Sequence, residues 1–166
     1  MQKRVFQLLA DNTSGVLSRI SGLFSRRGYN IESITAGVTA DPRYSRITIV
    51  TSGDDEILDQ IEKQVAKLVD VEDIKVLEPD SSVYRELVLI KVRANHENRR
   101  NIIEISNLFR TRIIDTSPDS LIIELTGETA KIDAFITMLG DFEILEIART
   151  GITGLGRGIA NVTYLD

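Results

Sequence analysis

Between Lys3 and Val38 the sequence runs KRVFQLLADNTSGVLSRISGLFSRRGYNIESITAGV, and its hydrophobic period changes twice. Val5, Phe6, Leu8 and Leu9 are too continuous for a half-exposed strand, so Lys3–Ala10 reads as a strand in the interior of the fold. From Gly15 to Arg27 the apolar residues Val16, Ile20, Leu23 and Phe24 fall on one helical face, while Ser18, Ser21, Ser25 and Arg26 lie away from it. Gly28 is a natural helix stop, because it enters the left-handed region without penalty. A strand follows near Asn30–Thr39. The polar turn Asp11-Asn12-Thr13-Ser14-Gly15 presents backbone N–H groups at a helix start, a place to hold a small anion such as a carboxylate. Thr13 or Ser14 is the expected N-cap, with Asn12 closing an Asx turn. Two details exceed an ordinary helix start. Gly15 weakens the first turn but admits close backbone approach, and Asn30 follows Gly28, near the same helix or a dimer mate.

Working outward, the alternation at Tyr44–Thr51 predicts another strand after the turn Ala40-Asp41-Pro42-Arg43. A second helix starts near Asp54-Asp55, acids that suit its positive end, and Leu58, Ile61, Val65 and Leu68 keep helical spacing. Val71–Leu77 closes a βαββαβ unit. Glu78-Pro79-Asp80-Ser81-Ser82 is a polar break, after which the order recurs. Glu86–Ala94 is a strand and Glu97–Arg110 a helix; Ile113–Thr116 and Leu121–Thr126 are strands. Thr129–Leu139 is a helix and Glu143–Arg149 a last strand. The expected fold class is α+β, two tandem ferredoxin-like βαββαβ units, with both helices of each on one face of a four-stranded antiparallel sheet. Residues 1–78 form the first unit, residues 79–83 a linker, and residues 84–166 the second unit with a Gly-rich tail. A unit of about 78 residues has a marginal core, so pairing of sheets or dimerisation is expected.

Composition narrows the function. The chain has 166 residues, 42% hydrophobic and 27% charged, the profile of a globular protein with room for two small domains. A net charge of −5 and 5% aromatic residues, with no RNP-type string, argue against nucleic acid, including the RNA-binding modules that share this fold class. There is no cysteine, which excludes disulfides and thiolate metal sites. No apolar run is long enough for a bilayer, and the N-terminal one is too brief for a signal segment, so the expectation is a cytoplasmic protein without membrane attachment. The one histidine, His96, sits at a strand-to-helix junction with no nucleophile identified beside it. The acids at Asp54-Asp55-Glu56 and Glu72-Asp73 lack metal-loop spacing. No catalytic residue and no metal ligand is expected. Gly154-Leu155-Gly156-Arg157-Gly158 resembles a phosphate loop only in composition; no helix follows it, so a mobile tail is expected.

Several strings resemble the regulatory (small) subunit of acetohydroxyacid synthase, also called acetolactate synthase. They are Asp11-Asn12-x-x-Gly15-x-Leu17-x-Arg19-Ile20, Arg27-Gly28-Tyr29-Asn30-Ile31-Glu32-Ser33, Ser45-Arg46-Ile47-Thr48 and Lys67-Leu68-Val69-Asp70-Val71. In the second half Ile113-Ile114-Asp115, Lys131-Ile132-Asp133-Ala134-Phe135 and Ala148-Arg149-Thr150-Gly151 join them. The DN-x-x-G-x-L portion alone indicates an ACT domain, the amino-acid-sensing class of ferredoxin-like module. The resemblance implies an effector-binding N-terminal ACT domain and a C-terminal ACT-like domain. It implies no activity in the chain alone, but activation of a separate thiamine-diphosphate-dependent catalytic subunit and feedback inhibition by valine in branched-chain amino-acid biosynthesis. Thiamine diphosphate, Mg and FAD would reside in that catalytic partner. Valine or another branched-chain amino acid would bind at a homodimer interface between ACT domains, with Asn12, Gly15, Val16 and Leu17 from one chain and Asn30 and Ile31 from the other. Gly37 occupies a position where a small residue such as alanine is found in relatives. Glu97–Ile105 has no comparable Gly-containing turn, so no second site is expected. A stand-alone ACT-domain amino-acid sensor acting on a different partner is the alternative.

Overall fold

A computed structural model describes residues 1–164 and groups them into two units, residues 1–84 with the tail from 152, and residues 85–151. The first unit contains β1 (Gln2–Asp11), α1 (Val16–Arg26), β2 (Asn30–Val38), β3 (Tyr44–Gly53), α2 (Asp55–Ala66) and β4 (Val71–Val76). Its sheet is antiparallel in the order β2-β3-β1-β4, the split arrangement expected from the periodicity. Phe6, Leu8 and Ala10 of β1 and Ile47 and Ile49 of β3 meet Val16, Ile20 and Phe24 of α1 and Leu58, Ile61 and Val65 of α2 in one buried cluster. The alternate residues Val5 and Val50 form a second cluster on the opposite face with Leu77, against which Tyr84 and Ile152 pack. β1 is therefore covered on both sides, which explains its unbroken apolar run. Asp54 caps α2 by accepting the Ile57 N–H at 2.9 Å, and Gly28 ends α1 at φ +68°.

The second unit repeats the order. β5 (Ser82–Arg93), which begins in the first unit, is followed by α3 (Arg99–Leu108), β6 (Arg112–Ser117), β7 (Ser120–Gly127), α4 (Thr129–Met138) and β8 (Ile144–Arg149). The strand order is β6-β7-β5-β8. Val88, Ile90 and Val92 pack on Ile102, Ile132, Phe135 and Leu139. Glu86, only 4% exposed, is held by Arg149 at 2.9 Å and by the Thr129 hydroxyl at 2.5 Å.

Two expectations change. The linker 79–83 is a 3-10 turn, Pro79–Ser81, running directly into β5. The tail is not a loose extension of the second unit. Thr153–Gly156 forms β9, which pairs with β5, and the tail clusters with the first unit. The Gln7 amide donates to the Gly154 carbonyl at 2.6 Å, and the Arg157 N–H donates to the Ser81 carbonyl at 2.7 Å. A Cβ at Gly154 would lie 2.9 Å from Leu77 Cδ1 and 3.2 Å from the Val83 carbonyl oxygen, so glycine is what permits this approach. The strand takes its place through backbone hydrogen bonds and missing side chains, which leave no hydrophobic period in the sequence.

Candidate functional site

The turn from β1 to α1 is fastened to its neighbours on the Asp11-Asn12 side and open on the Gly15 side. The Asp11 N–H donates to the Asp70 carbonyl at 2.8 Å, and the Asn12 N–H to the Arg43 carbonyl at 2.7 Å. The Asn12 amide nitrogen donates to the Pro42 carbonyl at 2.9 Å, and its oxygen accepts the Ser45 hydroxyl at 3.1 Å. Asn12 thus ties the turn to the β2–β3 connection instead of closing an Asx turn. Asp41 stiffens that connection by gripping Arg43 at 2.7 Å, which holds its carboxyl below the usual carboxylate range.

The N-cap is Gly15, not Thr13 or Ser14. Its φ of +86° is left-handed, and no side chain caps the helix. The first-turn N–H groups consequently keep their donors free of any side-chain acceptor. Val16 is buried at 4% exposure and can offer only its backbone, whereas Leu17 is 48% exposed. Arg19, one helical turn beyond Gly15, folds its guanidinium back over the turn: a Cβ on Gly15 would lie 2.8 Å from Arg19 Nη1. Asp70 anchors Arg19 through Nε and raises its pKa by that hydrogen bond. The pair was not among the residues expected at the site, although Arg19 and Asp70 each lie in a string that carries the family resemblance and Arg19 follows Gly15 at a four-residue spacing.

Asn30 and Ile31 begin β2 at the opposite end of the sheet. Asn30 pairs with Ser52, while Ser45 holds Asn12, and seven residue steps along β3 separate these two points, roughly 23 Å. One chain cannot bring both asparagines to a single amino acid, so the same-helix alternative for Asn30 is excluded. The Asn30 side chain is exposed, its carbonyl takes the Thr51 hydroxyl, and Ile31 packs half-buried on the first core. β2 is an edge strand, with Ile34 38% and Val38 63% exposed beside Gly37.

The equivalent turn of the second unit differs. The Asn95 side chain accepts the Glu97 and Asn98 N–H groups, both at 2.9 Å, and Asn98 returns its oxygen to the Asn95 N–H at 2.8 Å. These bonds close the loop ahead of α3, whose N-cap Asn98 makes no side-chain cap hydrogen bond of its own, and the loop holds no left-handed glycine; His96 is an exposed member of it. Among the described residues no helix is long and apolar enough to cross a membrane.

Comparison with known proteins bears on the family and the fold. Residues 6–73 match the family described as an AHAS small subunit-like ACT domain, and residues 85–158 match the small subunit of acetolactate synthase. A probable acetolactate synthase small subunit of Methanothermobacter thermautotrophicus is 49% identical over 155 residues, covering 93% of this chain and 92% of that one. The small subunit of acetolactate synthase isozyme 3 from Escherichia coli is 45% identical, over 94% of this chain and 96% of its own. The crystal structure of an acetolactate synthase small subunit from Thermotoga maritima superposes with a TM-score of 0.88 at 40% identity, covering 96% and 99% of the two chains.

Proposed function

The chain belongs to the family of acetolactate synthase small subunits, and from that premise we propose that it activates a separate catalytic subunit and makes it sensitive to valine. The observation that carries this reading is the Gly15 turn, a left-handed N-cap with no side chain serving the helix donors. A carboxylate fits there, because charge-assisted hydrogen bonds from first-turn N–H groups and the helix dipole both favour a small anion. The Arg19 guanidinium adds positive charge to the same place.

The site is shared between two copies of the chain. Gly15, Val16 and Leu17 of one copy supply backbone N–H groups for the carboxylate, and Asn12 holds their loop in shape. Asn30 of the other copy offers its amide oxygen to the ammonium, and Ile31 with the exposed part of Leu17 receives the branched side chain. The separation of Asn12 from Asn30 within one chain supports a two-chain site, and the free edge of β2 supports homodimerisation through the first units. Valine then favours one dimer arrangement, and the catalytic subunit senses the change with a coupling of roughly 1–3 kcal/mol. Thiamine diphosphate, Mg and FAD belong in this scheme to the catalytic subunit. The small subunit supplies no reacting group.

The test is to mix the purified chain with its catalytic subunit and measure acetolactate formation with and without valine. Activation that valine reverses, together with calorimetric binding of valine to the small subunit, is the expected result. A catalytic rate indifferent to the chain would overturn the assignment and leave a stand-alone sensor.

A further inference from the structure

We propose that the cleft between the tail and the face of the first sheet opposite its helices binds a phosphate group carried by a small metabolite, a site separate from the Gly15 turn. The cleft has a volume of about 750 Å³, room for an organic phosphate and not only for the inorganic ion. One wall is the sheet surface that faces away from α1 and α2, contributing Gln7, Arg46 and Lys75; the other is the Leu155-Gly156-Arg157-Gly158 segment and its return.

The charges in this cleft are unusual for the chain. Among the described residues, Arg46, Lys75 and Arg157 line it against one carboxylate, Asp73, although the whole protein carries a net charge of −5. Asp73 is already engaged, by Lys75 at 3.4 Å and by the Thr163 hydroxyl. Arg46 is the informative residue. It alternates with Ile47 and Ile49, which lie under the helices, so its side chain emerges on the opposite face, half-buried. Arg4, Arg19 and Arg43 of the same unit each have an acid within 2.7 Å or less, but Arg46 has no hydrogen-bond or ion-pair partner among the described residues. The planar fork of its guanidinium matches the oxygens of a phosphate.

The tail supplies the complementary chemistry. A Cβ built on Gly156 or Gly158 meets nothing within 4 Å, and Gly158 is left-handed at φ +70°, so backbone there is open to close approach. The Gln7–Gly154 hydrogen bond fixes the segment on the sheet, the Arg157–Ser81 bond ties it to the 3-10 turn, and Arg157 lines the same cleft as Arg46. The glycine-rich string thus offers phosphate chemistry without a following helix, by using the guanidinium of Arg46 in place of a helix terminus.

The test is calorimetric titration of the full-length chain with inorganic phosphate, pyrophosphate and acetate at constant ionic strength. Phosphate and pyrophosphate are expected to saturate one site per chain, and acetate to bind more weakly than either. Arg46→Gln and Arg157→Gln are each expected to weaken binding roughly tenfold or more, while Arg112→Gln in the second unit leaves it unchanged. The heat-unfolding transition of each variant checks that the fold persists; Arg157 is exposed and keeps the test open if Arg46→Gln unfolds. Absence of saturation, binding retained in both variants, or acetate binding as tight as phosphate would overturn the proposal.

Discussion

Arg19 reaches back over Gly15 so closely that a single methyl added to the glycine would come within 2.8 Å of its guanidinium. The turn is therefore restricted from two directions: its φ of +86° disfavours any side chain, and the volume above it already holds a cation. Gly15→Asp places a carboxylate where the effector's own is proposed to sit and lets it pair with Arg19. The expected outcome is loss of valine inhibition with activation of the catalytic subunit retained. Backbone strain should lower stability by roughly 1–2 kcal/mol. Valine inhibition curves for the mutant holoenzyme check this, and an unchanged curve removes Gly15 from the site.

Asn30→Ala tests the contribution from the second copy. Its side chain is exposed, so the heat-unfolding midpoint should hardly move, while calorimetric valine affinity should fall roughly tenfold. Unaltered affinity would refute the cross-chain contact.

The exits of the two leading helices differ in one residue. α1 leaves through Gly28 at φ +68°, whereas α3 leaves through Arg110 at φ +56°, where a side chain is strained. Arg110→Gly should raise stability by up to about 1 kcal/mol, read as a higher unfolding midpoint. A lower midpoint would mean that the arginine side chain contributes more than its backbone costs.

Gly154→Ala should act in the opposite direction. The added methyl meets Leu77 Cδ1 at 2.9 Å and backbone at 3.2 Å, and overpacking of this kind costs about 1–3 kcal/mol. Faster amide hydrogen exchange at Arg157, whose N–H bonds to Ser81, would report the loosened tail; unaltered exchange would show that the contact relaxes freely.

Two carboxylates set an acid limit. Lys3 holds Glu32 below the usual range through a hydrogen bond, and Arg43 does the same to Asp41. A depressed folded-state pKa stabilises the fold above the unfolded-state pKa, and that contribution disappears as pH falls through the folded value. Stability should therefore decline as pH drops below the ordinary carboxylate range, and less so in Glu32→Gln. Denaturant melts across acid pH measure the slope. Both pairs are exposed enough for salt to screen them, so the effect should shrink at high ionic strength.

The duplicated βαββαβ order was legible in the sequence because it rests on local period. Val16, Ile20, Leu23 and Phe24 mark a helix wherever they occur, and Val5–Leu9 announced a strand covered on both faces. The partners of Asn12 were not legible. Its amide is spent on Pro42 and Ser45, thirty or more residues away, and a side chain that can cap locally gives no sign of bonding elsewhere. The identity of the cap was hidden for a related reason: Thr13 and Ser14 are good capping residues, but the left-handed turn at Gly15 carries the helix start past them. β9 escaped notice because Thr153-Gly154-Leu155-Gly156 has almost no apolar alternation and docks through its backbone. Arg19 lay in plain view as a surface helix charge; Arg26 folds back over Gly22 in the same way, and what distinguishes Arg19 is its anchor on Asp70 and the left-handed turn beneath it.

The tail's return to the first unit also sets an order of events on the ribosome. Arg85–Gly151 must be synthesised before Ile152 and its successors can complete the first unit, an interval of roughly 3–13 s at ordinary elongation rates. The second unit, whose strands and helices are contiguous, needs no later segment and can fold once β8 has emerged. The first must wait with Val5, Val50 and Leu77 incompletely covered on the face that Ile152 packs against. The unit begun earliest in translation is thus the one finished last, and chaperone demand on the nascent chain should peak while the second unit is emerging.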